Sequence, residues 1–70
     1  MSVVRALDPV ALLSDQPELG LVRGQLGTAV EQLGSGVWEI EFDDNQGRTY
    51  RFAALPEAEL LVLRTAPVPA

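Results

Sequence analysis

Asp43-Asp44-Asn45-Gln46-Gly47 sets four oxygen-bearing side chains in succession, and the chemistry such a run first suggests is calcium binding. The twelve-residue loop that holds calcium alternates its ligands and closes with a bidentate Glu. This run does neither, so it reads as a hairpin turn. A second chemistry, general acid–base catalysis, needs paired carboxylates. Glu39 and Glu41 share one face of a strand, but a small barrel has no deep cleft in which to raise a carboxylate pKa. The chain has no His, Cys or Lys, which removes the commonest general base, the thiol nucleophile and the Schiff-base amine. Ser2, Ser14 and Ser35 have no group to activate them, and Ser35 between two glycines reads as a turn residue. The sequence therefore predicts a protein that is not an enzyme and calls for neither metal nor cofactor.

The elements that would position these residues are short strands. Leu26 to Phe42 closes around Gly34-Ser35-Gly36, and Trp38 to Phe52 closes around Asn45-Gln46-Gly47. Each reads as a hairpin with a three-residue loop ending in Gly, the residue that takes the left-handed conformation without steric cost. Strands are expected over Val10 to Leu13, Leu26 to Leu33, Val37 to Asp43, Thr49 to Ala54 and Leu60 to Arg64. Ser14 to Gly24 is a long loop whose Leu19, Leu21 and Val22 can fold back on the core. Leu55-Pro56-Glu57-Ala58-Glu59 reads as one helical turn, with Pro at its first position and acids where the helix dipole favours them. Thr65 to Ala70 reads as a frayed tail.

In the third strand Trp38, Ile40 and Phe42 share one face and Glu39, Glu41 and Asp43 the other. Pairing Phe42 with Tyr50 and Ile40 with Phe52 joins the apolar faces of strands three and four. Pairing Val30 with Ile40 and Thr28 with Phe42 does the same for strands two and three. Trp38, Tyr50 and Phe52 are then all wanted inside. The fold class expected is all-β, a small five-stranded SH3-like barrel with one short helical turn before the last strand. A barrel of the OB type is the alternative, but it carries a longer helix where this chain has a three-residue loop. The 70 residues form a single domain with its core over about 8–64. At that length folding buries only about 60% of the surface the unfolded chain exposes.

The same register places Glu31 opposite Glu39 and Glu41 opposite Arg51. The first pair is like-charged and costs some tenths of a kcal/mol; the second is a cross-strand ion pair. Glu31, Glu39, Glu41 and Asp43, with Arg51 beside them, form the candidate partner-binding strip. It would receive a basic protein, since such charges raise association rate and specificity. A net charge of −5 argues against a phosphate-tracking surface, so nucleic acid is not the expected partner. No apolar run spans a bilayer, the opening residues lack a secretory signal and cysteine is absent, so no membrane and a cytoplasmic location are expected. The oligomeric state is not legible.

Gly20-Leu21-Val22-Arg23-Gly24-Gln25-Leu26-Gly27-Thr28-Ala29-Val30 resembles the "Gly-Leu-x-x-Gly-Asp-x-Gly-Thr-Val-Val" stretch of a family of small bacterial proteins known only as a domain of unknown function. Val37 to Asp43 with Gly47-Arg48-Thr49-Tyr50 is similar to its "Tyr-Glu-Val-Glu-Phe…Gly-Arg-Thr" block, and Leu55-Pro56 with Leu60 to its closing turn. The resemblance covers roughly residues 8 to 63. It implies a compact SH3-like barrel, sometimes encoded beside toxin-type genes, with no catalytic residue to carry over. Gln25 replaces the usual Asp and Ala29 a usual Val, so nothing that depended on that carboxylate transfers. The glycine spacing is also similar to ribosomal barrels of the KOW type. Three roles follow as expectations: an interaction module such as an antitoxin or accessory subunit, a KOW-like ribosome- or RNA-associated barrel, or a self-assembling fold that pairs its edge strand with a second copy.

Overall fold

The computed structural model describes residues 3–64 as one five-stranded antiparallel sheet of order β4-β3-β2-β1-β5. The strands are β1 (Pro9–Leu12), β2 (Leu26–Gly34), β3 (Val37–Asp43), β4 (Thr49–Pro56) and β5 (Leu60–Val62). Two 3-10 turns, Pro17–Leu19 and Glu57–Glu59, are the only helical pieces among the described residues. The protein is all-β. β4 and β5 are the two edges of the sheet, with no strand pairing between them among the described residues. The expected tail over 65–70 lies outside the described residues.

Boundaries differ from expectation for identifiable reasons. Pro9 is the first residue of β1, a place where its missing N–H costs no ladder bond. β4 continues through Leu55 and Pro56, because Trp38 pairs with Leu55 and Val37 with Pro56. The helical turn is consequently confined to Glu57–Glu59, and β5 ends at Val62. Pairing of Gly34 with Val37 shortens the first hairpin loop to Ser35-Gly36. Gly36 and Gly47 adopt φ of +70° and +77°, as hairpin turns of this kind require.

The core gathers Val10, Leu12, Leu21, Ala29, Trp38, Ile40, Phe42, Ala53, Leu55 and Leu60, so both edge strands contribute to one apolar cluster. Phe42, Ile40, Val10 and Leu21 are fully buried, each stabilising the fold by roughly 1.5–3 kcal/mol relative to exposure. Leu21 reaches the core because the β1–β2 loop doubles back through a bridge between Gln16 and Leu21. Leu19 packs beside it, whereas Val22 remains exposed. Glu59 fastens the other side of this loop, accepting hydrogen bonds from the Ser14 hydroxyl at 2.5 Å and the Gln16 amide at 3.3 Å. The indole N–H of Trp38 donates to Glu57 at 2.9 Å, tying β3 to the turn before β5.

Strand pairing differs from the expected register in three places, the first a bulge at Leu33 beside the turn, where Gly34 and not Leu33 faces Val37. Between β2 and β3, Glu31 does face Glu39, but a bulge at Val30 shifts the remainder. Ala29, not Val30, faces Ile40, and Thr28 faces Glu41 instead of Phe42. The shift brings Ala29 into the core and slides Gly27 beneath the side chains of β3. A Cβ at residue 27 would lie 2.7 Å from Ile40 Cγ2 and 2.9 Å from the Glu41 carbonyl oxygen, so only Gly fits. Between β3 and β4, a bulge at Tyr50 moves every later pair by one. Phe42 faces Arg51 and Ile40 faces Ala53, so Ala53 and Leu55 enter the core. Tyr50 and Phe52 do not; they are 45% and 53% exposed.

Candidate functional site

The outer face of β2–β3–β4 carries the residues expected to meet a partner, in an arrangement the alternation along β3 dictates. Trp38, Ile40 and Phe42 are buried, which turns Glu39, Glu41 and Asp43 to the opposite side. Glu31 and Glu39 face each other across the β2–β3 ladder, and Ala54 continues that row on β4. Thr28, Glu41 and Phe52 form the next row. The sheet thus brings Glu31, Glu39 and Glu41 onto one face. Asp43 sits at its end, where its carboxylate accepts the Thr49 hydroxyl at 2.9 Å.

Arg51 does not join this group. The expected Glu41–Arg51 pair is replaced by Glu41–Phe52, because the Tyr50 bulge carries Arg51 to the Phe42 side of the strand. Among the described residues the single ion pair is Arg48 with Asp44, at 3.1 Å. The carboxylates of Glu31, Glu39 and Glu41 therefore lack an internal cation, and the exposed ring of Phe52 stands beside them. Pattern reading missed Phe52 as a surface residue. Its signal was present: β4 has apolar residues at both parities, Phe52 and Ala54 against Ala53 and Leu55, which is how a strand looks when a bulge changes its phase.

An open groove of about 610 Å³ runs from the start of β2 to the β3–β4 turn, walled by Leu26, Thr28, Asp43, Asn45 and Tyr50. Gln25 organises one side. Its side-chain carbonyl accepts the Val22 N–H at 3.0 Å, and its amide donates to the Tyr50 hydroxyl. Tyr50 in turn lies against Phe42, with ring centroids 6.5 Å apart. Asp44 organises the other side by closing the turn on itself. One carboxylate oxygen accepts the N–H groups of Gln46 at 2.8 Å and Arg48 at 3.0 Å, and the other accepts Arg48 Nε. The Arg48 and Gln46 N–H groups, with a smaller part from the Arg48 side chain, hold the Asp44 carboxyl below its ordinary value. The run that looked superficially like a cation loop is a turn whose central carboxylate is occupied by its own backbone. No three His, Cys, Asp or Glu residues among the described residues come together to hold a metal ion.

The molecule is of the class of small all-β proteins built on a single antiparallel sheet, and its candidate site is a surface, with the groove at one end. A family model for a domain of unknown function, DUF4926, matches residues 6–62, and the chain belongs to that family. No curated protein matches the chain, and no solved structure matches it. No helix among the described residues is long and apolar enough to cross a membrane.

Proposed function

We propose that this protein is a non-enzymatic interaction module that binds a basic partner protein through the outer face of β2–β3–β4, as an antitoxin or accessory subunit would. The observation that carries the reading is the row structure of that face. Glu31, Glu39 and Glu41 have no internal counter-charge among the described residues, and Phe52 stands exposed in the same register. A like-charged pair directly across two strands is mildly unfavourable in the free protein, and a basic partner would relieve it. A half-exposed aromatic amid carboxylates supplies the apolar anchor that charge alone lacks. The finer fold reading, an SH3-like barrel, belongs to the same proposal. The strand order, the long β1–β2 loop and the 3-10 turn before β5 support it, as does a core shared by β4 and β5. A cytoplasmic location is part of it too, supported by a cysteine-free chain.

Binding of nucleic acid is the weaker reading. Exposed Tyr50 and Phe52 could stack on bases, yet Glu41 lies directly beside Phe52 and repels phosphate. The test is charge reversal at Glu31→Lys with Glu39→Lys. The fold should survive, because one like-charged pair replaces another. The protein captured from native lysate by the wild-type chain should associate sharply more slowly with the variant, and its wild-type rate should fall with added salt. An unchanged rate would remove the acidic face from consideration.

A further inference from the structure

We infer that the β4 edge is the docking line itself, and that the partner contributes a basic strand which adds to it antiparallel. This rests on the reading above that the partner is basic and approaches the outer face; what is new is the edge and the main-chain mode of recognition. The Glu57 N–H donates to the Gly36 carbonyl at 2.8 Å. In an antiparallel ladder such a bond joins directly opposite residues, and bonded and non-bonded pairs alternate. The bonded pairs that follow are Trp38 with Leu55 and Ile40 with Ala53, in the observed register. Ala53 and Leu55 therefore direct their main-chain groups to β3. Phe52 and Ala54 direct theirs outward, where β4 is the last strand of the sheet.

The two edges are unlike. β5 is only three residues long, too short to template another strand, whereas β4 is eight. Between Phe52 and Leu55 the β4 edge has none of the usual protections; Arg51, Pro56 and the Tyr50 bulge lie at the ends of the strand. The stretch between those ends holds no charge, no Pro and no bulge. Charge complementarity selects the occupant. Residues of an added strand opposite Phe52 and Ala54 would place their side chains on the outer face, the face of Glu39 and Glu41. Long basic side chains there would reach across the β4 row to those carboxylates. A second copy is disfavoured, since it would bring two such acidic faces and two chains of charge −5 edge to edge.

The probe is a six-residue capped peptide of alternating Arg and Val, titrated into the full chain. In antiparallel addition the residues whose side chains lie on the acidic face are those whose N–H groups meet Phe52 and Ala54. N-methylation of the Arg residues should therefore weaken binding about tenfold, the loss expected of one or two main-chain hydrogen bonds. N-methylation of the Val residues should leave affinity unchanged. Ala54→Pro should likewise abolish the preference between the two peptides while the fold persists, because the N–H removed lies outside the ladder. Should that variant fail to fold, the peptide pair still decides. Equal binding of both methylated peptides, lost on charge reversal at Glu31 and Glu39, would overturn strand addition and leave the acidic-face reading standing. No binding of any peptide would overturn strand addition. A wild-type chain that is a dimer in solution and a monomer as Ala54→Pro would give the edge to a second copy and overturn it as well.

Discussion

The two hairpins that share β3 are both bulged, and they differ in where the bulges fall. In the β2–β3 hairpin a bulge at Leu33 offsets the shortened turn, so Glu31 keeps its partner Glu39, and a second bulge at Val30, in mid-strand, shifts the residues beyond. In the β3–β4 hairpin the bulge is at Tyr50, next to the turn. Asp43 still faces Thr49 across the turn end, but everything further along is displaced by one. One residue of displacement reverses which side chains enter the core. The comparison teaches that the bulges, and not the tight turn alone, set the register of the residues beyond them. In this protein the Tyr50 bulge is what puts Phe52 on the surface and leaves the acidic face without Arg51.

The sharpest way to break the comparison is to introduce the same charge at adjacent positions of β4. Ala53→Asp would bury a carboxylate against Ile40 and should cost more than about 3 kcal/mol, enough to unfold so small a domain. Phe52→Asp, one residue away, should change stability by about 0.5 kcal/mol or less. Chemical denaturation of the two variants checks this; the opposite ranking would restore the unbulged register. A smaller effect separates the mid-strand bulge. Gly27→Ala should cost about 1–3 kcal/mol, because the new methyl meets the backbone of β3 as well as its side chains. A neutral Gly27→Ala would mean that β2 does not approach β3 as closely as the Val30 bulge requires.

The smallest effect concerns the turn that ends the correctly paired segment. Asp44 has a carboxyl pKa lowered by the N–H groups of Arg48 and Gln46. A depressed folded-state pKa means that the unfolded chain takes up the proton first as pH falls. The stabilisation is thus present above the unfolded value of about 3.9 and lost as pH falls through the lower folded value. Asp44→Asn should melt below the wild type at neutral pH, and the gap should close in acid. A gap that stays constant with pH would show that the charge of Asp44 contributes nothing to the turn.

Much was legible before any coordinates. The all-β class, five strands in order, both glycine turns and burial of Trp38 follow from alternation and turn chemistry, which are local. The family resemblance was legible from the glycine-rich stretch and agrees with the family match over residues 6–62. The acidic face was legible in part. Glu39, Glu41 and Asp43 share a face by strand period alone, and Glu31 joins them because the Leu33 bulge offsets the shortened turn and its pairing lies on the turn side of the Val30 bulge.

What the sequence determined by itself was everything that depends on neighbours a few residues apart: which segments extend, where the chain must turn, and which side of β3 is apolar. Only the tertiary structure decided which of two apolar parities in β4 went inward. Tyr50 and Phe52 offer more apolar surface than Ala53 and Leu55, so composition favours the wrong face. The core already holds Trp38, Ile40, Phe42 and Leu60. Close packing on β3 leaves room opposite Ile40 for the methyl of Ala53 in a bulged strand, with Leu55 filling the space beside Trp38. Volume is a property of the assembled core and is not written at any one position. That is why the bulge, the surface aromatic and the open β4 edge all appear only once the strands are packed together.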